Sequence, residues 1–321
     1  MLAVMRLDIY LAAKGETVET VARRCNLSTA RIAADNGLTT IAPLAQGQAL
    51  TIRKVQKNHV VRRGETVQSI AAQHGISVRA LYRANPQLHG LPPLVTGQPL
   101  AVKMVDTPRL PLQVLGTVSP HPSAFSLRAV LPFLTYVAPF AYPIAPNGGL
   151  PLTDTAFLQN TALDYGVLPL TFTQGSIPPN AVNRFIQTAR FAAPYGLVTA
   201  TVPHPLLQKH FEAENKLCFT VFPPISHHGI DRKKGAPPVL LSQKQLYACA
   251  VRHTAVIRFD DTAKQPYFQY RDATQTPHTV WFHDPRSWHI QLQKLPCVTV
   301  ADACHATPLF AVLTACRHLV E

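Results

Sequence analysis

Twice within the first hundred residues the same succession of apolar and polar positions runs along the chain. A short apolar run, DIYLA or HVVR, leads into a polar turn and then into Val18, Val21 and Ala22, or Val67, Ile70 and Ala71. That i, i+3, i+4 spacing predicts an amphipathic helix in each copy. Thr17 and Thr66 stand where a helix N-cap belongs, Asn26 or Gly75 ends the helix, and Ser28 or Ser77 caps a second one. A closing apolar run, ALTI or PLAV, reads as a strand able to pair with the opening one. The expected unit is therefore βααβ, present twice. The tetrapeptide GETV recurs at 15–18 and 64–67, Asn36 matches Asn85, and Gly47-Gln48 match Gly97-Gln98 with one residue of slippage. Self-similarity over about 45 residues marks a repeated module.

From residue 114 the pattern changes. Apolar strand-like runs alternate with helix-like stretches: VLGTVS then SLRAVLPF, YVAPFAYPI then TDTAFLQNTALDYG, VLPLTFT then AVNRFIQTARFAAPYG, then LVTATVP, and LCFTVFPP then SQKQLYACAVRH. This cadence predicts a parallel α/β layout. Between 255 and 283, AVIRFDD, PYFQYRD and HTVWFHD read instead as antiparallel hairpin strands. The domain plan is 1–53, 54–104 and 114–321, with VDTPRLPLQ (105–113) as a linker.

Composition narrows the function classes. Of 321 residues, 47% are hydrophobic and 15% charged, which fits a folded chain rather than a disordered one. The net charge is +13, densest over residues 1–104, where 13 basic residues face 5 acidic ones. Such a surface favours anionic surroundings. A nucleic-acid binder is the weaker reading, because neither module shows an aromatic platform or an Arg-rich helix. The longest apolar stretch, 130–146, is interrupted by prolines, so no membrane partner is expected. No secretory signal is read at the N-terminus, since Asp8 interrupts the run. The six cysteines are scattered without a C-x-x-C pair and read as buried thiols, so neither a metal nor a cofactor is expected.

With these residues in view, the two copies resemble LysM modules, whose pattern is a strand, G-(D/E)-T-(L/V)-xx-I-A, a second helix ending in Asn, and G-Q-x-L-x-(I/V). The resemblance implies binding of peptidoglycan or chitin-type glycans containing N-acetylglucosamine, in a shallow groove. It places in that groove Gly15, Glu16, Thr17, Val18, Asn36, Gly37 and Leu38 of the first copy. In the second copy it places Gly64, Glu65, Thr66, Val67, Asn85, Pro86, Gln87 and Leu88. Two tethered copies would gain through effective concentration on a polymer.

The remainder resembles the family-18 glycoside hydrolase domain of spore cortex-lytic and spore-germination glucosaminidases. The matching stretches are LPFLTYVAPFAYPIAPNGGL, LDYGVLPLTFT, KLCFTVFPPISHHGID and AVIRFDDTAKQPYFQYRD with HTVWFHDPRS. The implied fold class is α/β and α+β multidomain: two LysM modules, then a truncated (β/α) barrel carrying an inserted antiparallel hairpin region. That family needs a carboxylic acid to protonate the glycosidic oxygen, written D-x-x-D-x-D-x-E. Here Gly175 falls at about the place of the catalytic Glu, and no acid occurs between Asp164 and Glu212. Two of eight strands are expected to be lost, leaving edges in need of cover. No catalytic residue is therefore expected, and a remnant cleft is sought at Tyr142, Trp281 and Asp284. Glu212 and Glu214 read as solvated, Asp260, Asp261 and Asp284 as turn formers or partners of arginines, and Trp288 as core; the pair His227-His228 is given no role. The expected protein is a glycan binder at the spore envelope or cell wall, reaching the spore from the mother-cell cytoplasm, with spore-coat proteins as further partners. Its rival is an active peptidoglycan N-acetylglucosaminidase.

Overall fold

The computed structural model describes residues 8–88, 93–105, 111–140, 142–150, 154–175, 177, 179–201, 203, 205–233, 235–293, 295–316 and 318–319. The chain divides into two compact units. One comprises residues 1–110, 226–296 and 306–318; the other comprises 111–225, 297–305 and 319–321.

The first unit begins with the repeat. Module 1 is β1 (Ile9–Leu11), α1 (Val18–Cys25), α2 (Thr29–Asp35) and β2 (Ala49–Thr51); module 2 is β3 (Val55–Val60), α3 (Val67–Gln73), α4 (Val78–Ala84) and β4 (Pro99–Met104). In each, the outer strands pair antiparallel, as the pattern predicts. Thr17 and Thr66 both build capping boxes, with their side chains accepting from the Thr20 and Ser69 amides. Ser28 and Ser77 cap the second helices. Asn26 ends α1 in the left-handed conformation at φ 54°. Val18, Val21 and Ala22 sit in a core with Ile32, Leu44 and Leu50.

The hairpin region continues this unit. After β5–β12, described below, come β13 (Gly229–Lys233), β14 (Val239–Leu241), α9 (Gln243–Arg252), β15 (Arg258–Asp260), β16 (Gln265–Arg271), β17 (Pro277–Trp281) and α10 (Pro285–Leu292). The five strands form an antiparallel sheet in the order β14-β13-β17-β16-β15, so the three hairpin strands expected from sequence gain two more. Module 1 is docked on it. Ala45 joins the cluster of Leu246, Ala250, Ile257, Phe268 and Phe282, and the Ile257 amide donates to the Gln46 carbonyl at 2.9 Å. Gly47, at φ +82°, lies so close that an added Cβ would meet the Ile257 oxygen at 2.2 Å.

The second unit is a ring of parallel strands. Its elements are β5 (Pro111–Val118), α5 (Ala124–Val130), β6 (Tyr136–Pro139), β7 (Tyr142–Pro143), α6 (Ala156–Asp164), β8 (Leu168–Pro169), β9 (Thr171–Gln174), α7 (Val182–Ala192), β10 (Gly196–Thr199), α8 (Pro205–Ala213), β11 (Leu217–Thr220) and β12 (Pro224–Ile225). Near the C-terminus β18 (Cys297–Val300) belongs to this unit and α11 (Thr307–Cys316) to the first, and β19 (His318–Leu319) follows. β5 starts inside the segment expected to be a linker. β18 pairs β5, β5 pairs β6, β6 pairs β8, β9 pairs β10, and β10 pairs β11, all parallel. The open edges expected after losing two strands are absent from this ring. The continuous segment 217–225 pairs β10 through β11 and β18 through β12, so among the described residues the barrel closes with six strand positions. Closure satisfies the edge amides that an open sheet would leave bare.

Candidate functional site

Each module holds a conserved piece of local wiring, visible by superposing the two copies. The Glu16 carboxylate, 8% exposed, accepts from the Ala13 amide at 2.8 Å and the Tyr10 hydroxyl at 2.8 and 3.0 Å, and pairs with Arg24 at 2.9 Å. Glu65 does the same with the Arg62 amide at 2.7 Å and with His59 Nε2 at 2.7 Å. Burial pushes the Glu16 carboxyl up, but the Ala13 amide, Tyr10 and Arg24 outweigh it and hold the group below its ordinary value. For Glu65 the Arg62 amide, then His59, does the lowering. These two carboxylates shape the loop after the first strand; both Glu16 oxygens are engaged, and in Glu65 it is Oε2 that takes both contacts.

Asn36 and Asn85 act at the other side. Asn36 Nδ2 donates to the Ile32 and Thr51 carbonyls while its Oδ1 accepts from the Thr51 amide at 2.8 Å. Asn85, fully buried, repeats this with Leu81 and Ala101, and also accepts from Gln87 Nε2. Each asparagine thus ties the end of the second helix to the closing strand. Val18 and Leu88 are core residues at 0% and 1% exposure. What remains for a ligand is Gly15, Thr17, Gly37 and Leu38 in module 1, and Gly64, Thr66, Val67, Pro86 and Gln87 in module 2, all exposed or half-buried. Thr17 bridges to Pro43, which links the two loops in module 1. Spacing alone could not separate the inward-wired Glu16, Asn36 and Asn85 from the exposed residues beside them.

Sequence reasoning missed the joint between the modules. Asp35 is buried with Arg31, whose Nε donates to Oδ2 at 2.7 Å, and with Arg53, whose Nη1 donates to Oδ1 at 3.0 Å. The guanidiniums reach on into module 2, Arg31 to the Ala84 carbonyl and Arg53 to the Arg83 carbonyl. The modules are therefore clamped, not strung on a flexible tether. No repeat partner of Asp35 exists in module 2, where Ala84 stands, so the duplication itself hid this pair.

In the barrel the bore is filled. Leu115, Ala138, Leu170 and Val198 pack together with Phe172, Phe219 and Phe222. The Phe219 and Phe222 rings stack at 4.9 Å, and Tyr136 lies 5.4 Å from Phe219. Among the described residues of this unit the carboxylates are Asp154, Asp164, Glu212, Glu214 and Asp302. Glu212 is exposed, and Glu214 is held by Lys216 at 2.8 Å and Arg190 at 3.0 Å. Asp302 alone directly follows the carboxyl end of a barrel strand, β18. Gly175, in the position expected of the acid, takes φ +110°, a conformation that suits glycine.

The three residues sought in a remnant cleft separate. Tyr142 lines a cavity of about 240 Å³ with Asp154, Gln159 and Phe191, and its buried hydroxyl has no hydrogen-bond partner among the described residues. Trp281 belongs to the hairpin sheet and stacks on Tyr267 at 4.8 Å. Asp284 is the exception to the expected set. Fully buried, it caps α10, accepting from the Arg286 and Ser287 amides and pairing with Arg286 at 2.6 Å, which leaves it no free oxygen. Trp288 is core, its Nε1 donating to the Ser226 carbonyl. Asp260 forms a turn by accepting from the Thr262 and Ala263 amides, and His227 is buried 4.1 Å from the His228 ring.

Comparison with known proteins agrees with this division. Residues 10–53 and 59–103 match the LysM domain family. A segment of 53 residues is 42% identical to the cortical fragment-lytic enzyme of Bacillus subtilis, and one of 56 residues is 41% identical to that of Bacillus anthracis. These segments span only 12% and 13% of the relatives' length. In fold, the spore cortex-lytic enzyme SleL of Bacillus cereus superposes with a TM-score of 0.67 at 19% identity, covering 98% of this chain and 99% of that one. SleL of Bacillus megaterium gives 0.68 at 17% identity over the same shares. A chitinase of Chromobacterium violaceum gives 0.54 at 14% identity over 63% of this chain and 98% of its own. The chain thus carries two LysM domains and a family-18 glycoside hydrolase-like fold, in the arrangement of the spore cortex-lytic enzymes.

Proposed function

We propose that the protein binds N-acetylglucosamine-containing glycan of the peptidoglycan or chitin type through its two LysM modules, and that its barrel is a pseudoenzyme. The binding half rests on the pair of modules, in which Gly15 and Thr17, and Gly64, Thr66 and Val67, stand exposed or half-buried over wired interiors. The observation that supports the second half is the lack of an acid after two central strands of the ring. A family-18 reaction needs a proton donor and a second carboxylate to orient the acetamido group. Among the described residues Gly175 follows β9 and Ala200 follows β10, and no carboxylate stands directly after either strand. The setting is the spore envelope or cell wall, where the basic surface adds attraction to anionic polymers. Spore-coat proteins are further partners under this reading.

A second reading, an active N-acetylglucosaminidase, is favoured by one residue, Asp302, at the mouth of the ring. Two measurements on purified protein separate the readings. Retention on insoluble peptidoglycan, competed by chito-oligosaccharides and not by DNA, is expected. Cortex fragments incubated with the protein should show no new reducing ends. Sustained turnover abolished by Asp302→Asn would establish the second reading in place of the first.

A further inference from the structure

The two modules enclose a cavity of about 430 Å³ that neither module has by itself. That volume falls within the range of about 300–1,000 Å³ common to small-molecule sites. One wall is the α1–α2 turn of module 1, with Asn26, Leu27 and Ser28; the other is the β3/β4 face of module 2, with Val55, Asn58, Gln98 and Pro99. It shares Asn85 and Gln87 with the groove expected in module 2 and touches none of Gly64–Val67.

The lining has a particular chemistry. The side-chain amides of Asn26 and Asn58 make no hydrogen bond among the described residues, while Gln87 and Gln98 each spend one end internally, on Asn85 Oδ1 and the Val95 amide. The site thus offers amide donors and acceptors together, which complement an acetamido N–H and C=O. Leu27, Val55 and Pro99 supply apolar surface for a methyl group or a sugar face. The cation in the wall, Arg31, is committed: its Nε goes to Asp35, its Nη1 to Ala84 and its Nη2 to Met104 Sδ. No guanidinium is left to hold a carboxylate. Because the Asp35 clamp fixes both walls, a ligand would find them already placed.

We infer that this intermodule cavity is a subsite for a neutral N-acetylated sugar, distinct from the two loop grooves. It extends the glycan reading above and rests on it. The chemistry selects N-acetylglucosamine units over units that carry a free carboxylate.

The test uses the full-length protein, labelled with ¹⁵N, and the N-acetylglucosamine tetramer as probe. Titration should shift the side-chain amide signals of Asn26, Asn58 and Gln98 saturably, in addition to the backbone signals of Gly15 and Gly64. The double variant Asn26→Gly, Asn58→Ala should lose about five- to tenfold in affinity, the scale of one or two lost hydrogen bonds, while the Gly15 and Gly64 shifts persist. Glycine is chosen at 26 because φ is 54° there. Shifts confined to Gly15 and Gly64 would overturn the subsite and leave the glycan reading intact. No shift at either place would overturn both. Equal binding of a muramyl dipeptide at the cavity would refute the selection for neutral sugars.

Discussion

Replacing Asp35 with alanine tests the clamp between the modules. The side chains of Asp35, Arg31 and Arg53 are 1%, 8% and 5% exposed, so the variant strands two guanidiniums in a poorly solvated joint. Removing one member of a buried ion pair costs about 3–5 kcal/mol, because the surviving charge is left uncompensated. Two features pull the figure toward the lower end. Both arginines keep a backbone carbonyl, and Arg31 borders the intermodule cavity, through which water can reach it. The expected loss is therefore about 3 kcal/mol, or roughly 6–12 °C in the melting transition of a unit this size. Differential scanning calorimetry at low and high salt reads it. A buried pair is screened little, so the shift should persist in 1 M salt. Glu19→Ala is the control: its pair with Arg23 is 66% and 75% exposed and should shift the transition by no more than about 1 °C. A change for Asp35→Ala as small as the control's, or one that disappears with salt, would refute the clamp.

Three further outcomes follow from the same geometry. Gly47→Ala puts a Cβ onto the Ile257 oxygen at a positive φ, and should detach module 1 from the hairpin sheet, read as faster hydrogen exchange at the Ile257 amide. Asn85→Ala leaves the Ala101 amide and two buried carbonyls unpaired, and should destabilise module 2 by about 2–4 kcal/mol in urea titration. Glu16 and Glu65 have folded-state pKa values below the ordinary 4.5, so they bind fewer protons folded than unfolded. Their stabilisation is fully present above that pH and is lost as pH falls through the lowered values; thermal melts from pH 6 to pH 2 should show this, with a shallower fall for Glu65→Gln.

The repeat was legible because its signals are local. Thr17, Thr66, Ser28 and Ser77 announce helices from within three residues, and the apolar spacing of Val18, Val21 and Ala22 fixes the buried face. The loop segments of the groove followed from the same pattern, though Glu16, Asn36 and Asn85 turned out to be wired inward. The joint was illegible since Asp35 meets Arg53 across 18 residues and Arg31 meets Ala84 across 53, distances no periodicity encodes. Ring closure escaped for a similar reason. The segment LCFTVFPPI reads as one strand, yet it serves two neighbours by bending between Thr220 and Pro224. Asp284 reads from sequence as a turn former or arginine partner as well as a cleft candidate, and its burial, its cap and its pair with Arg286 match the first of these.

The narrowing of the ring has a consequence for any attempt at repair. Barrel diameter scales roughly with strand number, so a six-membered wall has little room beyond its own filling side chains. An acid placed at position 175 would stand on backbone that glycine adopts with ease and other residues do not. Under the pseudoenzyme reading proposed above, a point change of this kind would not suffice for cleavage, and a larger interior would need whole strand–helix units added to the ring.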